Sequence, residues 1–256
     1  MRAPEGEFPH IAADILERLR QRRPRVHCIT NAVAQAFTAN LLLAAGAVPS
    51  MTIAPEEVAD FVAGADALLI NLGTLDGVRR DAIGIAIDTA SELDVRWMLD
   101  PVFIERSQTR AVFAQALVRM RPSAVHLNRG EFATIAAAEG TRAALTRYAI
   151  ETGAVIALTG ETDLVADGAQ TMRIANGHPW MTMITAMGCA GAGLVAACLA
   201  VEPEPWRAVA AGLLALGVAG EVAAENARGP GSLAVGIIDA LHRLDRSELV
   251  ARARVT

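Results

Sequence analysis

Apolar and polar positions along the chain change period several times. Over residues 9–20, Ile11, Ile15, Leu16 and Leu19 recur at helical spacing, which predicts an amphipathic surface helix. After that the period shortens. Apolar or β-branched runs at residues 26–30, 47–51, 67–71, 95–100, 124–128 and 155–159 alternate with helix-patterned segments, the signature of βα units and a parallel sheet. Pro55 opens one intervening helix that Gly64 closes, and Leu75, Val78, Ala82, Ala86 and Leu93 form a core face on the next. Residues 163–166 and 171–175 flank Asp167-Gly168, which suits a tight turn and predicts an antiparallel hairpin at one edge. The last third reads as helices over 187–201, 205–226 and 233–244, separated by Glu202-Pro203 and Gly229-Pro230-Gly231. No linker divides the pattern, so residues 1–256 are expected to form one α/β domain, with a mostly parallel central sheet covered by helices on both faces.

Composition supports a large core, since 53% of the 256 residues are hydrophobic and 20% are charged, while aromatics are only 4%. All 23 basic residues are Arg. The absence of Lys excludes a Walker A phosphate loop, a lysine-dependent protein-kinase fold, a pyridoxal-phosphate Schiff base and a lysine aldolase. Net charge is −5, and Arg18, Arg20, Arg22, Arg23 and Arg25 read as the solvated face of the first helix, so no nucleic-acid partner is expected. Cys28, Cys189 and Cys198 are too few and too irregular for a disulfide framework or a zinc site, which points to a reducing, cytoplasmic setting. Residues 26–55 and 174–201 carry no formal charge but are broken by Asn, Pro and Gly, so both read as buried elements and no membrane partner is expected. Arg2, Glu5 and Glu7 open the chain without an apolar leader.

Ligands of open parallel sheets bind beyond the carboxyl ends of the strands. Here those ends supply Thr30 and Asn31, Asn71 with Gly73, Asp100, Asn128 with Glu131, and Thr159-Gly160-Glu161. Each also reads as a helix cap, and it is their recurrence that favours a site. Asp100 and Glu131 on one rim suit Mg²⁺, which takes one or two protein oxygens and keeps most of its waters. The segment Thr185-Ala186-Met187-Gly188-Cys189-Ala190-Gly191 enters a small-residue helix whose free N–H groups could hold a phosphoryl group without any Lys. Cys189 in that first turn is expected to have its thiol pKa lowered by the helix dipole, although a small buried hydrophobe is the alternative reading. Gly191 and Gly193 read as positions of close helix packing.

These residues resemble the hydroxyethylthiazole kinases, members of the ribokinase-like fold. The resemblance runs through Val26-His27-Cys28-Ile29-Thr30-Asn31, Asn40, Gly46, Met51, Leu69-Ile70-Asn71-Leu72-Gly73-Thr74-Leu75 and Leu99-Asp100-Pro101-Val102. It continues in Asn128 with Glu131, Leu158-Thr159-Gly160-Glu161, Asn176-Gly177-His178-Pro179, Gly188-Cys189-Ala190 and Gly229-Pro230-Gly231-Ser232. It implies ATP- and Mg²⁺-dependent phosphorylation of 4-methyl-5-(2-hydroxyethyl)thiazole, a salvage step toward thiamine, by a homotrimer with active sites at subunit interfaces. By the same resemblance, Asn31 and Met51 line the thiazole pocket, Asp100 and Glu131 organise Mg²⁺, Thr159 touches the nucleotide, Ala186 and Gly188 lie at the substrate and anion hole, and Cys189 holds the catalytic position.

Four departures cluster near the phosphates. The family reads Gly-Thr-Gly-Cys where this chain has Ala186-Met187-Gly188-Cys189, a basic residue at Met183, a nucleotide-contacting Arg at His126, and a glycine-containing loop where Phe103-Ile104-Glu105-Arg106 follows Val102. Arg106 or Arg129 is a candidate replacement for the missing cation. Two alternatives therefore stand beside the thiazole kinase: a ribokinase-like paralogue acting on another small alcohol, and a nucleotide-impaired thiazole-binding protein.

Overall fold

A computed structural model of the chain describes residues 6–256; Arg2 and Glu5 of the charged opening lie outside the described residues. Helix α1 (Phe8–Arg22) leads to β1 (Arg25–Ile29), α2 (Gln35–Ala45), β2 (Val48–Ser50), α3 (Val58–Ala63) and β3 (Ala67–Asn71). There follow α4 (Gly77–Glu92), β4 (Arg96–Asp100), α5 (Gln108–Val118), β5 (Ala124–Asn128), α6 (Arg129–Ala136), α7 (Arg142–Thr152) and β6 (Val155–Thr159). The hairpin of β7 (Asp163–Ala166) and β8 (Thr171–Ile174) precedes α8 (Met187–Val201), α9 (Pro205–Ala224), α10 (Pro230–Arg243) and α11 (Arg246–Arg252).

The strands form one eight-stranded sheet in the order β2-β1-β3-β4-β5-β6-β7-β8. β1 to β6 pair in parallel, and β7 and β8 are antiparallel at the edge, as the sequence pattern predicts. Continuous apolar strands arise because both faces are covered. Leu69, Met98, Val155 and Ala157 pack toward α1, α2, α8, α9 and α10. Their strand neighbours Leu68, Ile70, Trp97, Leu99, Ile156 and Leu158 pack toward α4 to α7 on the other face.

Small residues let α8 sit deep. A Cβ on Gly191 would lie 2.8 Å from Leu216 Cδ2 of α9, and one on Gly193 would lie 2.9 Å from Thr38 Cγ2 of α2. Close packing is thus the role of both glycines. Among the described residues, α9 alone is long and apolar enough to cross a membrane, and most of it is buried against its neighbouring helices.

Several expectations need correction. The core stripe of α4 runs through Ala82, Ile83, Ala86, Ile87 and Ala90, while Val78 and Leu93 are exposed. Asp76 caps the helix and pairs with Arg79 at 2.6 Å, and Arg79, not Val78, is the buried residue of the first turn. The arginine run is only partly a solvated face: Arg18 pairs with Glu202, and Arg20 donates to the Leu241 carbonyl at 3.0 Å. The hairpin connection extends from Asp167 to Gln170, closed by the Asp167 carboxylate on the Ala169 and Gln170 amides. Beyond the sequence pattern, α11 carries the chain back so that Val255 bridges Ile174 at the β8 edge.

Candidate active site

Strand register brings the polar ends together. Asn71 lies opposite Asp100, and Asn128 lies opposite Thr159. The pairing of Leu99 with Val125 places the next residues, Asp100 and His126, side by side. Asn71 Nδ2 donates to Asp100 Oδ2 at 2.6 Å, and Asn31 Nδ2 lies 3.1 Å from Asn71 Oδ1 and 3.3 Å from Cys189 Sγ. Groups from β3, β4, the loop after β1 and the start of α8 therefore form one polar cluster.

Helix α8 opens without a side-chain cap, from Ala186 at φ 67° and ψ 10°. The first intrahelical bond runs from Ala190 N to Ala186 O, which leaves the first-turn amides of Gly188 and Cys189 for a ligand. Such a helix start suits an anion. A Cβ on Gly188 would come 3.8 Å from His126 Cε1, so the imidazole stands beside this opening. The expected lowering of the Cys189 thiol is not found. Burial, with the charge of Asp100, pushes it up to about 12, so desolvation outweighs the helix dipole and the thiol is neutral.

Glu131 is buried and engaged through both oxygens. Oε1 accepts from Phe103 N at 2.9 Å and Oε2 from Asn128 N at 2.8 Å, while Asn128 Oδ1 accepts from Glu131 N at 2.9 Å in a capping box. Burial and then Asp100 raise its pKa. His126 Nδ1 is 3.5 Å from Asp100 Oδ1, buried and without a hydrogen-bond partner. Burial is the largest influence on His126 and disfavours its charge, but Asp100, Glu131 and Asp163 together outweigh it and raise the pKa. Among the described residues no group of three or more His, Cys, Asp or Glu could by itself hold a metal. Two mutually repelling carboxylates do fit Mg²⁺, whose remaining ligands are water and phosphate oxygens.

The outer members lie at opposite ends of the rim. Met51 follows β2 and Thr159 ends β6, with four strands between them. Thr159 Oγ1 donates to Leu127 O at 3.3 Å. The residues on either side of Met51 are tied to one the pattern did not single out. His27 joins Ser50 Oγ at 2.8 Å through Nδ1 and Thr52 O at 3.2 Å through Nε2, bracketing Met51, and burial pushes its pKa down to about 4. Asp163 was also read only as hairpin. Its carboxylate accepts from Gly160 N at 3.0 Å, and burial pushes it up to about 6. Its position at the start of β7, directly after the turn that follows Thr159, was the available signal.

Two of the departures share a backbone cause. Ala186 at φ 67° and Phe103 at φ 58° both occupy the left-handed region, which favours glycine. Met183 is 67% exposed, and the exposed Arg106 lies 3.8 Å from Glu105. Arg129 is the exposed first residue of α6. A groove of about 380 Å³ between α4 and α5, lined by Arg80, Thr109, Val112 and Phe113, contains none of the site residues.

The model of the hydroxyethylthiazole kinase family matches residues 16–247. A probable hydroxyethylthiazole kinase of Agrobacterium fabrum strain C58 is 42% identical, with 98% of this chain and 97% of that protein covered. The solved hydroxyethylthiazole kinase of Pyrococcus horikoshii OT3 superposes with a TM-score of 0.93 at 35% identity, covering 96% of this chain and 98% of that one. A ribokinase-like superfamily protein of Enterococcus faecalis V583 shares the fold, with a TM-score of 0.69 at 16% identity over 91% of this chain and 95% of that one.

Proposed function

The chain belongs to the hydroxyethylthiazole kinase family, and from that premise we propose that it transfers the γ-phosphoryl group of ATP to the hydroxyl of 4-methyl-5-(2-hydroxyethyl)thiazole, a salvage step toward thiamine. The observation that carries this reading is the uncapped start of α8, with Gly188 and Cys189 in its first turn and Asp100 one hydrogen-bonded chain away. It offers an anion site that needs no Lys.

Asn31 and Met51 would contact the thiazole, with Ala186 and Gly188 beside its phosphorylated end, while His126 and Thr159 would meet the nucleotide. Asp100 and Glu131 would hold Mg²⁺ through its waters, and the bound ion neutralises phosphate oxygens. Phosphoryl transfer passes through a loose transition state, so positioning and charge stabilisation dominate and a strong base is not required. A neutral Cys189 thiol is compatible with that demand. It would orient the substrate hydroxyl rather than deprotonate it early.

The assembly proposed is a homotrimer, supported by exposed Val33, Leu43 and Val48 around α2 and the β2 edge. A cytoplasmic setting is supported by three free thiols, Cys28, Cys189 and Cys198. The left-handed Ala186 and Phe103 favour one second reading, a nucleotide-impaired thiazole binder. A coupled phosphorylation assay with ATP, Mg²⁺ and a panel of small alcohols separates these readings from each other and from a paralogue acting on another small alcohol. Turnover with preference for hydroxyethylthiazole supports the kinase, preference for another alcohol indicates the paralogue, and thiazole binding without any turnover indicates the impaired relative.

A further inference from the structure

We propose that Asn71 is a positioning residue that couples the Asp100 carboxylate to the Cys189 sulfur through Asn31. The inference rests on the kinase reading above for its catalytic consequence but not for its geometry. Asn71 is fully buried.

Chemistry orients each amide in the chain. A backbone amide only donates, so the Asn71 atom facing Gly73 N is its Oδ1 and the atom 2.6 Å from Asp100 Oδ2 is its NH₂ group. Asn71 Oδ1 then faces the Gly73 amide at 3.0 Å and Asn31 Nδ2 at 3.1 Å. Asn31 is fixed from its other side, because its Oδ1 accepts from Ala34 N at 2.9 Å. Its NH₂ group is thereby turned toward both Asn71 and the sulfur, at 3.3 Å from Sγ. The sulfur of Cys189 accepts, and its own proton is left free for another partner. Reversing any one amide would break at least two of these bonds.

The surrounding backbone locks the arrangement. A Cβ on Gly73 would lie 2.7 Å from Asn31 Cβ, and Thr74, at φ 46°, accepts from Ala32 N at 3.2 Å. A β-branched residue at positive φ is a strained conformation held by its neighbours. A simple turn-capping role would need only Asn71 Oδ1, on the Gly73 amide. The NH₂ half, which reaches Asp100, is superfluous to a cap.

That asymmetry supplies the test. Asn71→Ser keeps an acceptor for the turn and is too short to reach both Asn31 and Asp100, whereas Asn71→Asp keeps the acceptor for the turn and for Asn31 and replaces the donor to Asp100 with a second carboxylate oxygen. Each variant is compared with the wild type in kcat, in KM for the alcohol, and in the rate of Cys189 alkylation by iodoacetamide without ATP or alcohol, read by peptide mass. The fully buried Cys28 and Cys198 serve as internal controls for global opening. A positioning role gives a fall in kcat of at least about tenfold with KM within about threefold. It also slows Cys189 alkylation by at least about threefold, because in Asn71→Ser the Asn31 donor to the sulfur loses its Asn71 partner and in Asn71→Asp the added carboxylate disfavours the thiolate. A smaller effect in either readout overturns the proposal. If Asn71→Asp fails to fold, Asn71→Ser carries the test. If the wild type phosphorylates no alcohol, the kinase reading falls while the alkylation arm still decides the role of Asn71.

Discussion

Glu131 Oε1 accepts the backbone amide of Phe103 at 2.9 Å, so a candidate metal carboxylate also holds a loop residue in the left-handed region. Its other oxygen closes the capping box of α6. Glu131→Gln keeps the shape and removes the charge, but it presents an NH₂ group to one of two backbone donors. A large loss of kcat is expected together with destabilisation of about 1–3 kcal/mol, the cost of a buried donor left unpaired. Steady-state kinetics and thermal melts check the pair of effects. Unchanged turnover at saturating Mg²⁺ removes Glu131 from the mechanism.

Ala186 has the backbone conformation in which a methyl group is unwelcome. Ala186→Gly is expected to stabilise the protein by about 1 kcal/mol, visible as a higher Tm. Combined with Met187→Thr, it is expected to raise kcat more than it lowers KM. A slower double variant of an already efficient wild type would show that the segment is an adapted form of the anion hole.

His27 gives the fold an acid-sensitive contact. Its pKa lies near 4 in the folded chain against an ordinary 6.5, chiefly because it is buried. Between those values the unfolded chain binds the proton and the folded chain does not, so stability falls as pH drops from 6.5 toward 4 and is unaffected above 6.5. The loss approaches a few kcal/mol, on the order of 1.4 kcal/mol for each pH unit of the window. His27→Gln removes this titration. The Tm difference between the two proteins should move in favour of the variant between pH 7.5 and about pH 5. A gap that stays constant with pH contradicts the neutral, buried assignment.

The trimer proposal gives a mass expectation. Light scattering should return three times the 26.9 kDa chain mass. Val33→Glu combined with Leu43→Glu should lower that mass and the activity together, since both side chains are more than half exposed in the single chain. A fully active monomer excludes a shared active site.

Much of the architecture was legible without coordinates, because hydrophobic period is a local property. The strands Ala67–Asn71, Ala124–Asn128 and Val155–Thr159 end where the apolar runs end, and α8 spans the small-residue segment. Polar residues at those ends marked the rim of the candidate site. The α4 face differs from the predicted one because the stripe depends on which helix side meets the sheet, and the apolar Val78 and Leu93 fall on the exposed side.

What only the tertiary structure decided was the meaning of each polar residue on the rim. β3 inserts between β1 and β4, an order that no local pattern contains, and it alone makes Asn71 a bridge between Asn31 and Asp100. Likewise, the helix dipole at Cys189 could be read from its place in α8, but its thiol is governed by how much water the surrounding side chains exclude. Sequence determined the elements and the chemistry available at their ends. Register, burial and backbone angle, all products of long-range packing, determined which of those groups meet and in what protonation state.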